Sequence, residues 1–216
     1  MKKIAVMISG NGTNLEAIVK ACHANNIYGE IVYVISNNPE AYGIERAKKY
    51  NIPTKIIDHK IYTNRDDFDD ALKEFLDNLE VDLIILAGFM RILGKNITEK
   101  FYGKMINLHP SLLPLYPGLN THTQALNNKD EYHGISIHFV SAELDAGPLI
   151  AQGKVSVKAD DDLEKLVSKI HKVEHDLLPK IINELCTNNI YLNCETNKVM
   201  YSDNLDSKMS VTYFND

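Results

Sequence analysis

The chain has 216 residues, 44% hydrophobic and 24% charged, which suits one α/β domain, or at most two small ones, around a real core. A formal net charge of −6 argues against nucleic acid or an anionic membrane as the main partner, since phosphate-rich surfaces are bound by basic faces; a small anionic substrate needs only a few local donors and stays open. Three cysteines, Cys22, Cys186 and Cys194, have no CxxC spacing; they offer neither a disulfide framework nor a zinc site and read as free thiols in a reducing cytoplasm.

Behind Lys2 and Lys3, the apolar run 4–9 is too short for a signal peptide, and no stretch approaches the ~20 apolar residues of a membrane span. Residues 3–9 have the continuous apolar pattern of a buried parallel strand. A helix comes next over 13–25 with Leu15, Ile18, Val19 and Cys22 at helical spacing, then a strand over 30–36, a helix over 41–50 and a strand over 53–58. Residues 64–79 place Phe68, Leu72, Phe75, Leu76 and Leu79 on one helical face. The most apolar strand is 82–88, and a short helix near 96–102 leads to a strand ending in "MINLH". This rhythm predicts a Rossmann-like, doubly wound, mostly parallel sheet. After residue 118 the pattern changes. A helix is expected over 121–130, an antiparallel pair over 134–140 and 148–157, a long amphipathic helix over 161–185, and a terminal hairpin over 190–202 before a loose polar tail from Asp203. There is no internal repeat and no Gly- or Pro-rich linker.

Four features could carry chemistry. "SGNGTNLE" (9–16) lies at the first strand-to-helix turn, where Thr13 and Glu16 fit a capping box. The dinucleotide fingerprint needs a third glycine where Leu15 stands, so a nicotinamide cofactor is disfavoured. The free N–H groups of this helix start suit a phosphate; an ordinary turn is the equal alternative. In "MINLHPSLLPLYPG" (105–118), Asn107 and His109 are two apart on a strand and project to one face. They stand at a carboxyl end, where open α/β sheets bind ligands, and Pro110, Pro114 and Pro117 stiffen the loop behind them. An amide and an imidazole there can stabilise an oxyanion or move a proton; a polar strand end is the plainer reading. Asp145 sits in a turn-forming loop where it could orient an imidazole or bond its own backbone, and His138, on an apolar strand, reads as a structural group. Glu174 falls within the apolar stripe of the long helix (Leu163, Leu166, Val167, Ile170, Leu177, Leu178, Ile181) and should meet a cation, from the protein or a substrate amine. "HKVEH" (171–175) matches the inverted zinc-protease pattern, without an evident third ligand. There is no G-x-S-x-G elbow, no P-loop lysine and no cysteine with a His partner, so direct attack of one substrate on another is the expected chemistry.

Taken in order, "ISGNGTNL", "LAGFMRIL", "INLHPSLLPLYPG", "HGISIHFV" and "LDAGPLI" resemble the phosphoribosylglycinamide formyltransferase family over roughly residues 1–190. The resemblance implies attack of the amine of glycinamide ribonucleotide on the formyl carbon of 10-formyltetrahydrofolate, in purine biosynthesis. Asn107 and protonated His109 would stabilise the oxyanion, and Asp145 would hold His109 and help move the proton. Gly12, Thr13 and Asn14 match the phosphate turn, and Glu174 the residue meeting the glycinamide end. Arg65, Met90, Arg91, Ile92 and Leu93, with Asn107, match folate-binding positions. No metal is implied. On this reading residues 1–190 are one formyltransferase domain, a phosphate-binding half of about 1–104 and a folate and catalytic half of about 105–190, with 191–216 as terminal hairpin and tail. Partners would be the two small molecules, without nucleic acid or membrane, and the chain a cytoplasmic monomer or homodimer. Asn120 departs from relatives that carry His there, which bears on pH dependence near the catalytic pair. The rivals are methionyl-tRNA formyltransferase, which usually adds a basic C-terminal domain, a formyl-folate hydrolase, which adds an N-terminal one, and a non-catalytic phosphate-binding protein of the same fold.

Overall fold

The computed structural model describes residues 1–202, 205 and the backbone of 211–213. Among these the chain forms β1 (Lys2–Ile8), α1 (Thr13–His23), β2 (Gly29–Ser36), α2 (Gly43–Lys49), β3 (Thr54–Ile56), α3 (Arg65–Leu79), β4 (Leu83–Leu86), α4 (Lys95–Lys100) and β5 (Met105–His109). Then come α5 (Thr121–Asn127), β6 (Tyr132–Phe139), β7 (Leu149–Ser156), α6 (Leu163–Cys186), β8 (Ile190–Asn193), β9 (Lys198–Tyr201) and β10 (Val211–Tyr213). The long helices start where the sequence supplies caps. Asn64 Oδ1 accepts from Asp67 N (2.9 Å) ahead of α3, and Asp162 Oδ1 from Lys165 N (2.8 Å) ahead of α6.

The described strands of the main sheet run in the order β10-β7-β6-β5-β4-β1-β2-β3. Pairing is parallel from β3 through β5 and antiparallel for β5–β6 and β6–β7. β1 lies between β2 and β4, so the chain winds away from it in both directions. This switch opens a crevice beyond the carboxyl ends of β1 and β4. Alternation along each strand splits the core into two layers. Ile4, Val6 and Ile8 join Leu83 and Ile85 beneath α1 and α6, while Ala5 and Met7 join Ile84, Leu86 and the Phe68, Leu72 and Leu76 face of α3. The α/β, mostly parallel architecture with an antiparallel part and a long C-terminal helix is as the sequence predicts.

Two expectations need correction. Thr13 and Glu16 form no capping box. Gly12 is the N-cap, at φ +73°, and Glu16 is drawn off to Arg46 and to Lys20, 3.1 Å away. A Cβ on Gly12 would come within 2.6 Å of Gly43 Cα, so α1 and α2 meet backbone to backbone there and only glycine fits. The tail expected to be loose includes a strand, since β10 pairs parallel with β7. Residues 203–204, 206–210 and 214–216 lie outside the described residues. The hairpin of β8 and β9 forms as a separate antiparallel pair.

Candidate active site

The crevice is a cavity of about 890 Å³. The turns after β1 and β4, the end of β5, the start of α5, the loop before β7 and one face of α6 line it. Asn107 and His109 project into it together from β5, as their spacing demands. Asp145 meets them from the far loop: His109 Nδ1 lies 3.4 Å from Asp145 Oδ2, and Asn107 Nδ2 3.5 Å from Asp145 Oδ1. The His109 and Asp145 side chains are buried and Asn107 is half-buried, and Asp145 is pinned at φ +51° with Oδ2 accepting from Gly118 N at 2.8 Å. His109 Nε2 donates to the Tyr116 carbonyl (2.8 Å). Both ring nitrogens therefore face acceptors, an arrangement filled only when both carry hydrogen.

His138 belongs to this group, which the strand pattern alone did not show. It is the cross-strand neighbour of Asn107 in the β5–β6 ladder. Its Nδ1 donates to Phe139 O (2.9 Å), which leaves Nε2 to accept from Asn107 Nδ2 (3.2 Å). Burial lowers its pKa, against the opposing pull of the Phe139 carbonyl and Asp145, so a neutral ring orients the Asn107 amide. The cross-strand register was the missing signal.

At the other end, α1 begins at the turn holding Gly12, Thr13 and Asn14, all on the cavity wall. Glu174, 6% exposed, reaches down from α6 and accepts from Asn14 Nδ2 (3.0 Å). Among the described residues its hydrogen-bond partner is thus an amide and not the protein cation that was one of the two expected partners. Burial pushes its pKa up, with the Asn14 bond and the charge of His171 working the other way. Asn14 Oδ1 is buried and has no hydrogen-bond partner among the described residues.

Met90, Arg91, Ile92 and Leu93 line the cavity, Met90 at 71% and Ile92 at 52% exposed. Met90 N donates to Ser9 Oγ (2.7 Å), tying this loop to the β1 turn. Arg65 is not brought in: it opens α3, exposed, beside Asp69 and Gly94 at the outer end of that loop. Asn120 lines the cavity as the left-handed N-cap of α5 (φ +59°), a conformation asparagine tolerates. His122 and His171 also line it, His122 Nδ1 lying 3.0 Å from His133 Nε2. His171 and His175 stack on α6 while Glu174 turns to Asn14, and among the described residues no group of three or more His, Cys, Asp or Glu could hold a metal ion. No described helix is long and apolar enough to cross a membrane.

The formyl transferase family profile matches residues 2–182, so fold and site define a domain of that class. Phosphoribosylglycinamide formyltransferase of Haemophilus influenzae is 45% identical over 182 residues, covering 84% of this chain and 86% of its own, and that of Escherichia coli is 45% identical over 180 residues, covering 83% and 85%. The solved structure of the Coxiella burnetii phosphoribosylglycinamide formyltransferase superposes with a TM-score of 0.90 at 42% identity and covers 99% of both chains. The chain belongs to the phosphoribosylglycinamide formyltransferase family. The Coxiella match also extends past residue 190, where the sequence resemblance stopped.

Proposed function

We propose that this enzyme formylates the amine of 5-phosphoribosylglycinamide in purine biosynthesis, with 10-formyltetrahydrofolate as the donor. One observation carries the reading: Asn107 Nδ2 and His109 Nδ1 converge on the Asp145 carboxylate at the floor of the cavity, 3.5 and 3.4 Å from it. A formyl oxygen entering beside that carboxylate would draw on the same two groups, exchanging their long contacts with Asp145 for shorter ones as it becomes an oxyanion. The neutral amine attacks the formyl carbon, the tetrahedral intermediate collapses with cleavage of the bond to folate N10, and Asp145 helps carry the amine proton to N10. No nucleophile from the protein and no metal enters.

The phosphate would sit on the N–H groups of Gly12, Thr13 and Asn14 at the start of α1, where the helix dipole favours an anion. The glycinamide end would meet Glu174, whose buried carboxylate has the Asn14 amide as its hydrogen-bond partner among the described residues. The exposed side chains of Met90 and Ile92, with the backbone through Leu93, would take the pterin, and Arg91 and Arg65 the anionic tail. Against the expected halves of about 1–104 and 105–190, the folate positions 65 and 90–93 proposed here fall in the first half and not in the second. Ribonucleotide groups come mainly from the first half, oxyanion donors from the second, and Glu174 crosses back. The ligands are small molecules; nucleic acid and membrane have no part.

The test mixes purified protein with both substrates and follows loss of formyl folate by absorbance. Turnover that depends on the ribonucleotide amine is expected; its absence overturns the reading.

A further inference from the structure

We propose that Tyr116 is a positioning residue for the formyl transfer: its phenol, anchored on Asp130, holds the 110–118 strap against the His109–Asp145 pair. The proposal rests on the functional reading above for the reaction it serves. Tyr116 sits at φ +54°, a left-handed conformation unusual for a bulky residue, and something must hold it there. The phenol hydroxyl donates to Asp130 Oδ2 (2.6 Å) and accepts from Asn128 Nδ2 (2.8 Å). Donation by Asn128 lowers the phenol's pKa, but the bond to Asp130, partial desolvation and the Asp130 charge together raise it, so the phenol keeps the proton it donates.

What the anchor holds is the carbonyl of the same residue. Tyr116 O takes the Nε2 hydrogen of His109 at 2.8 Å, with the buried Ser111 hydroxyl 3.2 Å away. Two residues on, Gly118 N donates to Asp145 Oδ2 at 2.8 Å. One short strap therefore grips both members of the pair. If Tyr116 relaxed toward ordinary backbone angles, its carbonyl would swing off Nε2 and draw Gly118 from Asp145. Tyr116 is not part of the cavity lining, so it acts through these groups and not on substrate.

The test compares Tyr116→Phe, Asp130→Ala and Asp130→Asn by steady-state kinetics and by NMR of 15N-histidine-labelled protein. Tyr116→Phe and Asp130→Ala should each lower kcat by about tenfold to a hundredfold, the scale of a small misplacement, with both KM values within about twofold. The double variant should be no slower than either single one. Asp130→Asn keeps an oxygen for the phenol and should retain most of kcat. The His109 Nε2 proton resonance should move in the first two variants and stay in the third. Wild-type kcat in Tyr116→Phe, a loss carried by KM alone, or an unmoved resonance overturns the proposal. Should Tyr116→Phe fail to fold, the Asp130 pair decides by the same readouts. A wild-type protein without turnover defeats the functional reading instead, and the resonance still judges the positioning.

Discussion

Asn107 and His109 have little use as isolated side chains. Each gains its orientation from a neighbour that is also fixed: Asn107 from the neutral His138 ring, His109 from the Tyr116 carbonyl and Asp145. Preorganised donors act because they need not reorganise when charge develops. Asn107→Ala and Asp145→Asn should therefore fold normally and lose kcat by on the order of 10² or more, which steady-state assays will read. Near-normal rates would remove those residues from the mechanism. Gly12 presents a different case. Any Cβ there meets the Gly43 backbone and the residue is held at φ +73°, so Gly12→Ala should cost about 1–3 kcal/mol of stability. Thermal unfolding should show that as a drop of roughly 2–12 °C in Tm, whatever the residue does for phosphate.

At the scale of elements, α5 and β6 are joined by the His122–His133 contact. Burial holds His133 down at about 4, with the neighbouring His122 lowering it further and Asp130 partly opposing; burial also lowers His122, with His171 and His109 adding to the effect. A histidine depressed in the fold titrates higher in the unfolded chain. Above about pH 6.5 both states are neutral there and the pair costs nothing; as pH falls from about 6.5 toward 4 the unfolded chain takes the proton first and stability declines. The loss should reach at most about 3 kcal/mol for His133. Denaturant unfolding at several pH values will measure it, and His133→Gln should flatten the slope. An unchanged slope would show that other groups carry the acid sensitivity. The loop between β5 and α5 shows the same dependence of a site on remote packing. The prolines legible in the sequence stiffen it, but the phenol of Tyr116 fastens it.

For the whole molecule, the sheet's switch between β1 and β4 puts residues 12–14 and 174 on one wall, with Asn14 and Glu174 bonded across 160 positions of sequence. A ligand spanning that contact ties the N-terminal turn to α6 and should stabilise the fold. At one hundred times its Kd, glycinamide ribonucleotide without formyl donor should add about 2.7 kcal/mol, a rise of roughly 5–10 °C in Tm. Glu174→Gln should keep the Asn14 bond yet lose most of that shift in calorimetry. An undiminished shift would take the carboxylate out of ribonucleotide binding.

Hydrophobic periodicity by itself determined the order of strands and helices, because burial of one face repeats every 2 or 3.6 residues wherever the neighbours lie. It also determined that Asn107 and His109 share a face, and placed Glu174 against the core. The ordered motifs added the family. Only the tertiary structure decided what each of these residues meets. His138 reaches Asn107 through a register set by two strands, Asp145 arrives from 38 residues beyond Asn107, and Glu174 faces an amide where a protein cation was one expectation. It also set Arg65 outside the cavity wall and turned Glu16 from a cap toward Arg46. Such contacts depend on how separate elements pack in three dimensions, which local spacing does not encode.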